Sequence, residues 1–330
     1  MTTVSVIVPA FNAADTLRGC LTSLAAQTLR DIEVIVVDDG STDATAKIVR
    51  EFASHSAVAI RLVQQANGGR AAARNTGLAQ VTGDFIGFVD ADDSAEPAMY
   101  QHMLARAESS DADLVHCEYE SFDAVTGDTI NHYREGDEAE YGASLAERPS
   151  LLLAGGASVC NKLVRRSLFT ESEITFPAGM DFEDLATAYR LAARARRIEK
   201  VSEVLYRYRQ GHADSIMSAR DERYLQIPIA LDITNRDLKD LGLFDAVHDE
   251  LEAMNFLHLI HGRYTDLFRT GERSVRHAFI DAAFAHLDGV FPEWRRSRLI
   301  AQLAGRPAKR IVSTHRMLLR LYTDLAEDRS

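Results

Sequence analysis

The chain has 330 residues, of which 46% are hydrophobic and 26% charged. That composition is globular, excludes a disordered, fibrous or low-complexity polypeptide, and leaves room for one large domain or two modest ones. Its 37 basic and 49 acidic residues give a net charge of -12, which argues against a nucleic-acid-binding protein, since that would carry a basic face.

The first hundred residues alternate strand and helix signals. Val4-Ser5-Val6-Ile7-Val8 is a short run rich in β-branched residues closed by Pro9, and Ala13 to Gln27 sets Leu17, Leu21 and Leu24 at helical spacing. Val34-Ile35-Val36-Val37 is apolar throughout, too continuous for a half-wet strand and suited to a parallel sheet covered on both faces. Ser41 or Thr42 is placed to cap a helix running through Phe52. Ile60 to Val63 reads as a third strand, Gly69 to Ala79 as a helix and Phe85 to Val89 as a fourth strand. Alternation at this spacing predicts an α/β fold with a doubly wound, mostly parallel sheet.

Residues 100–215 are mixed. Pro97 opens a helix to about Ser109, Asp113 to Tyr119 reads as a strand, Glu183 to Arg196 as a helix and Val201 to Tyr208 as extended chain. Between Glu108 and Glu147 there are twelve acidic residues against one basic, Arg134, and the stretch Ser121 to Tyr141 has the character of a loop or hairpin. After about residue 218 strand signals stop. Tyr224 to Leu241, Val247 to Phe268, Ser274 to Leu287 and Trp294 to Tyr322 read as amphipathic helices with turns at Gly242, Gly271 and Gly305-Arg306-Pro307, an all-α C-terminal region. Its last segment, Trp294 to Thr323, holds eight basic residues and no acidic one. That block reads as a solvated helix face or as a contact with anionic headgroups or an anionic polymer. Trp294, the single tryptophan, reads as core or subunit contact ahead of a sugar-stacking platform.

Cys20, Cys117 and Cys160 are sparse and widely spaced, which suits a reducing compartment and offers no metal framework. Met1 to Ala10 lacks a basic region followed by a long apolar one, so no signal peptide is expected. No apolar run approaches the roughly 20 residues a membrane span needs. The expected location is the cytoplasm, with peripheral contact at the inner face of the membrane if the basic block meets lipid.

Chemistry is signalled by where the acids fall. Asp38-Asp39-Gly40-Ser41-Thr42-Asp43 starts at the carboxyl end of the second strand, and Val89-Asp90-Ala91-Asp92-Asp93 at the end of the fourth. Ligands of open α/β sheets bind just beyond those ends. Either motif alone is an ordinary polar turn; both at matching ends point to a site. One residue separates Asp90 from Asp92, so a bend can aim both carboxylates at one point. Mg²⁺ or Mn²⁺ is usually held by one or two carboxylates plus substrate phosphates, which suits a nucleoside diphosphate. Asp39 could accept hydrogen bonds from a base or ribose. No G-x-G-x-x-G follows the first strand and no G-x-x-x-x-G-K-[ST] occurs, so dinucleotide and P-loop readings lose their main motif.

In order along residues 1–217, VSVIVPAFN at 4–12, DDGSTD at 38–43, NGGRAAARNTG at 67–77, VDADD at 89–93, Asn161 to Phe169, Phe182-Glu183-Asp184-Leu185 and YRYRQGHADSI at 206–216 resemble the family-2 inverting glycosyltransferases of the GT-A fold. The resemblance implies a GT-A domain over 1–217, with a nucleotide-binding half at 1–100 and an acceptor half at 101–217. It implies that Pro9, Phe11, Asn12 and Asp39 line the uracil-ribose end, with Asn67, Asp90 and Ala91 nearby, and that Asp92 holds Mn²⁺ or Mg²⁺ on the diphosphate. Asp184 would be the general base and Glu183 its support. Arg74 would help hold the nucleotide, with Arg209, His212 and Ser215 closing over the diphosphate and His212 a further candidate metal contact. Lys162 reads as half surface charge, half anion contact. The implied activity is metal-dependent, inverting transfer from a nucleotide-sugar, a UDP-sugar on the family pattern, to a hydroxyl of a glycan, cell-envelope polymer or lipid-linked acceptor, with no nucleic acid involved. A nucleotidyltransferase would need a glycine- and lysine-rich loop after the first strand, and a non-catalytic scaffold the loss of a key acid; neither is seen. The region 218–330 lies outside the shared pattern and reads as an oligomerisation module or a basic platform.

Overall fold

A computed structural model describes residues 3–210, 221–261 and 272–303 of the chain. The chain divides into two compact units, residues 1–219 with 230–246, and residues 220–229 with 247–330.

The first unit is built on a nine-stranded sheet among the described residues, ordered β3-β2-β1-β4-β8-β6-β9-β5, with β7 paired to β6. The strands are β1 (Val4–Ala10), β2 (Ile32–Asp38), β3 (Ala59–Gln64), β4 (Phe85–Phe88), β5 (Ser94–Ala95), β6 (Leu114–Asp123), β7 (Thr129–Tyr133), β8 (Lys162–Arg165) and β9 (Ile198–Gln210). From β3 to β4 every pairing is parallel. Beyond β4 the sheet is mixed: β8 runs antiparallel to β4 and β6, while β6 and β9 pair in parallel. The apolar runs predicted as strands are the central ones, and β1 and β2 are buried along their full length. Of the two acids in β2, Glu33 accepts a hydrogen bond from Ser5 Oγ (2.6 Å) and pairs with Arg61, and Asp38 closes the strand.

Helices α1 (Leu17–Ala25), α2 (Thr45–Ala53), α3 (Arg70–Leu78) and α4 (Met99–Ser110) follow the early strands. In α1 the buried residues are Leu17, Cys20, Leu21 and Leu24, the predicted stripe. The start of α2 corrects the expected cap. Thr45 N donates to Asp43 Oδ1 (2.9 Å), whereas Ser41 Oγ accepts from Asn12 N (2.9 Å) and Thr42 N donates to Asn12 Oδ1 (2.9 Å). Ser41 and Thr42 are thus used to tie the β1 and β2 ends together, and capping passes to Asp43. At Gly87, a Cβ would lie 2.5 Å from a Tyr100 ring carbon, so β4 keeps a bare position where α4 packs closely. The acidic stretch becomes the β6–β7 hairpin, whose turn is fastened by Val125 N and Thr126 N donating to Asp123 Oδ1 (2.8 and 2.9 Å). Two short helices, α5 (Leu151–Ala154) and α6 (Ser167–Thr170), precede α7 (Glu183–Arg194).

In the second unit, helices span His248–Phe256, Arg273–Val290 and Arg298–Leu303, the first continuing as a π-helical turn over Leu257–His261. Trp294 is fully buried, with ring centroids 5.7 Å from Phe256 and 5.9 Å from Phe284, and its indole N–H donates to Asp288 Oδ1 (2.8 Å). It is core. The continuous helix expected from Trp294 does not form: Trp294–Arg296 is a 3₁₀ turn and Ser297 turns extended (ψ 125°) before the next helix, because the indole is pinned inward. The basic block beyond Leu303 lies outside the described residues. Among the described residues all three cysteines are buried and free, and no helix is long and apolar enough to cross a membrane.

Candidate active site

The carboxyl ends of β1, β2 and β4 carry the first group of side chains. Asp39 is buried and already engaged. Its Oδ1 accepts from Gln65 Nε2 (2.7 Å) and Gly68 N (2.9 Å), and its Oδ2 from Gly69 N (2.8 Å). Asp39 therefore holds the loop that leads into α3. Gly40, at φ +77°, permits the approach: a Cβ there would stand 2.8 Å from Asn67 N. Asn12 sits in the left-handed region at φ 47°, where an Asn is tolerated better than most residues, and its side-chain oxygen is spent on Thr42. Phe11 beside it is 52% exposed, an aromatic face presented at a strand end. Pro9 is placed otherwise than expected: it is buried within β1 opposite Val37, and so shapes the strand end without offering a surface.

The second group converges on Arg74. This side chain is fully buried, on the face of α3 that it shares with Arg70 one turn earlier. Its Nη2 donates to Asp90 Oδ1 (2.9 Å) and its Nη1 to Glu183 Oε1 (2.8 Å) and to Asp184 Oδ1. Asp90 follows β4; Glu183 and Asp184 open α7, 109 and 110 residues from Arg74. Phe176 and Phe88 flank the guanidinium at 5.3 and 6.0 Å from their ring centroids. Arg70 adds contacts at 3.4 Å to Asp90 and 3.5 Å to Glu183. Arg74, expected to help hold the nucleotide, is thus a buried clamp on three carboxylates with no exposed surface of its own. The reason is that α7 brings its acidic first turn against α3, and buried charges are kept only when paired.

These neighbours set the titration of the group. Burial alone would lower the Arg74 pKa, but Asp184, Asp90 and Glu183 hold it well above the usual arginine value. Burial would raise Asp90, and Arg74 and Arg70 bring it below the usual carboxylate range. Glu183 is pushed up to about 7 by burial, against the pull of Arg74. Its side chain is 1% exposed, while that of Asp184 is 25% exposed. Of the pair, Asp184 can be touched by a substrate and Glu183 cannot.

Asp93 belongs to the same cluster, although nothing in the local pattern sets it apart from its neighbours. It is buried, accepts from the Tyr206 hydroxyl and from Arg209 N (2.7 Å), and is driven well above the ordinary range by burial and then by Asp92 and Asp90. Asp92 is half-buried and Ala91 buried. Arg209 contributes its backbone amide here, and its side-chain Nε is buried with no hydrogen-bond partner among the described residues. Lys162 corrects its expectation. It is 1% exposed, and its ammonium donates to Ser158 O (2.6 Å) and Asn161 Oδ1 (3.2 Å), so it is neither surface charge nor open to an anion. Its place at the start of β8, in register with His116, turns it inward. His212 and Ser215 lie outside the described residues. Sequence reasoning missed Arg70, Asp93 and Tyr206. The Arg70–Arg74 spacing of four was a usable signal, whereas the reach of Tyr206 to Asp93, 113 residues away, had none.

Among the described residues no group of three or more His, Cys, Asp or Glu side chains is assembled to hold a metal. The oxygen donors of Asp90, Asp92 and Asp93 nevertheless fit a hard divalent cation of the kind completed by substrate oxygens. Of the three, Asp90 is bonded to Arg74 and Asp93 to Tyr206, and Asp92 is half-buried. A cavity of about 750 Å³ lined by Thr3, Asp84, Phe85, Asp111, Arg165 and Arg166 lies at the opposite ends of β1 and β4; its arginines are paired with Asp111, Asp113 and Asp84.

The family model for glycosyl transferase family 2 matches residues 5–172. EpsH of Bacillus subtilis is 31% identical over 299 residues, covering 88% of this chain and 85% of its own. Among solved structures, Staphylococcus aureus TarS 1–349 in complex with UDP-GlcNAc superposes with a TM-score of 0.60 at 20% identity, covering 87% of this chain and 92% of that one. The mannosyltransferase PcManGT from Pyrobaculum calidifontis, in complex with GDP-Man and Mn²⁺, superposes with a TM-score of 0.53 at 22% identity, over 97% of this chain and 83% of that one.

Proposed function

The chain belongs to glycosyl transferase family 2, and from that premise we propose that it transfers a sugar, with inversion, from a UDP-sugar to a hydroxyl of a glycan, cell-envelope polymer or lipid-linked acceptor. The observation that carries the reading is the Arg74 clamp, which gathers Asp90, Glu183 and Asp184 at the carboxyl ends of the parallel strands, where ligands of such sheets bind.

In this reading Phe11 offers its exposed ring to the base, and the loop that Asp39 holds forms the floor beside it. Asp184 is the general base. As the acceptor oxygen bonds to the anomeric carbon and the bond to the diphosphate breaks, the acceptor proton passes to Asp184, a step that a positioned carboxylate accelerates by about 10²–10⁴. Arg74 fixes Oδ1 of that carboxylate and so its orientation, and Glu183 shares the same guanidinium from beneath. Asp92 would hold Mn²⁺ or Mg²⁺, which when bound supplies Lewis-acid neutralisation of the leaving diphosphate. The domain organisation that goes with this is a catalytic domain over 1–217 and, over 218–330, an oligomerisation module or a basic platform, of which residues 230–246 pack with the catalytic unit.

The test is a thermal-shift series with UDP, GDP, CDP and TDP, each with and without Mn²⁺. A ligand at a hundredfold excess over its Kd adds about 2.7 kcal/mol to the folded state. A metal-dependent rise with UDP alone is expected. A rise with GDP alone would replace the donor, and no rise with any nucleotide would end the nucleotide-sugar reading.

A further inference from the structure

One sheet face beyond the clamp has chemistry that the transfer step does not use. Paired residues on neighbouring strands point to the same side of a sheet. Tyr119 of β6 is paired with Tyr133 of β7 and with Tyr206 of β9, and Ser121 with Tyr208. These residues therefore share one face. At its inner end Tyr206 donates to Asp93 and accepts from Asp90 N (3.3 Å), so the face begins at the acidic motif after β4. At its outer end Tyr119 and Tyr133 stack with centroids 4.4 Å apart and planes 7° apart, both half-buried.

Beside the rings stand polar atoms without partners. Among the described residues Glu135, 6% exposed, has an Oε2 that makes no hydrogen bond and meets only His116 Nδ1 at 3.5 Å, and the Oγ of the fully buried Ser121 makes none either. Glu135 follows Tyr133 by two residues, and after burial its charge is the next cause that raises the Tyr119 pKa. An orphaned buried polar atom costs about 1–3 kcal/mol, so the fold retains here a demand for a hydroxyl partner. Aromatic faces beside an unsatisfied carboxylate oxygen match a pyranose, which presents C–H bonds on its ring face and hydroxyls at its rim. The hairpin stretch Ser121 to Tyr141, with six acidic residues and a single basic one, disfavours a phosphate- or carboxylate-bearing chain.

We propose that the Tyr119–Tyr133–Tyr208 face, with Glu135, is the acceptor platform and takes a neutral oligosaccharide. The proposal rests on the glycosyltransferase reading of the adjoining site. It is tested by saturation-transfer NMR of the full chain with chitotriose, maltotriose, mannotriose and galactotriose, and with a hyaluronan tetrasaccharide as the anionic comparator. At least one neutral trisaccharide binds, hyaluronan does not, Tyr133→Ala weakens binding by about tenfold (about 1.4 kcal/mol), and Tyr133→Phe, which keeps the ring, stays within about twofold of wild type. His132→Ala, on the opposite face of the same strand, binds like wild type. Absence of binding by all four trisaccharides, unchanged affinity in Tyr133→Ala, or preference for hyaluronan overturns the proposal. A UDP titration of the same samples reads the nucleotide end separately. If UDP fails to bind while a trisaccharide binds through Tyr133, the donor reading falls and the platform stands.

Discussion

Replacing Arg74 by Ala isolates the contact on which the site is built. The guanidinium makes hydrogen bonds to Asp90 (2.9 Å), Glu183 (2.8 Å) and Asp184 from a fully buried position. Removing one partner of a buried ion pair costs about 3–5 kcal/mol, because the surviving charge is left without compensation. Here three carboxylates lose the same partner, but not equally. Asp184 and Asp90 have side chains 25% and 20% exposed and recover part of their solvation, whereas Glu183, at 1%, recovers almost none. The expected loss is therefore about 3–5 kcal/mol near neutral pH. It is smaller by only a few tenths of a kcal/mol near pH 5, because Glu183, with a pKa of about 7, is already half protonated near neutral pH. Arg74→Lys, which keeps a charge but not the planar fork, falls between. Urea unfolding followed by far-UV circular dichroism at both pH values gives the comparison. A loss below about 1 kcal/mol, or one that is at least about 1 kcal/mol larger near pH 5 than near neutral pH, would refute the claim that the arginine balances buried carboxylates.

Two further outcomes follow from the same geometry. Asp184→Asn keeps the shape and one acceptor oxygen but cannot take the proton, so transfer falls by about 10²–10⁴ while UDP-sugar affinity stays within a few-fold; an equal collapse of affinity would remove Asp184 from the role of base. Glu183 has its folded-state pKa raised from 4.5 to about 7, so its contribution to stability is fully present below about pH 4.5 and is lost as pH rises through about 7, a change of about 3 kcal/mol. Glu183→Gln removes that slope from the difference in urea midpoints, and a variant with the wild-type pH profile would mean that Glu183 is already ionised at low pH.

The parts of the molecule that were legible in the sequence are those governed by local pattern. Continuous apolar runs marked β1, β2 and β4, and the acids beyond them marked the ligand end of the sheet, because strand burial and the place of a site in an open sheet are both written within about ten residues. What was not legible depends on contacts made across the sheet. Arg74 reads as a polar helix residue until α7 closes on it, and then becomes the most tightly held cation of the site. Lys162 reads as half surface charge and half anion contact until register with His116 turns it inward. The same holds for the cap of α2, where Ser41 and Thr42 are drawn away by Asn12, a residue 29 and 30 positions earlier. In each case a side chain with a sound local role was taken by a partner from a distant segment.

That pattern also explains why the clamp has the composition it does. Asp90, Asp92, Asp93, Glu183 and Asp184 crowd into one region, and ionised carboxylates at such spacing repel strongly. The structure meets the repulsion in two ways. Arg70 and Arg74, one turn apart on α3, bond the three acids that join the strand end to α7, and Asp93 is raised toward its neutral form by burial and by its acidic neighbours while Tyr206 and the Arg209 amide hold it in place. Asp92, half-buried in the same motif, is the acid proposed above to meet a ligand's charge. A neutral residue at 74 would leave the strand-end acids and the α7 acids facing each other unscreened, and the distance between the donor end and Asp184 would be set by repulsion instead of by two hydrogen bonds from one rigid group.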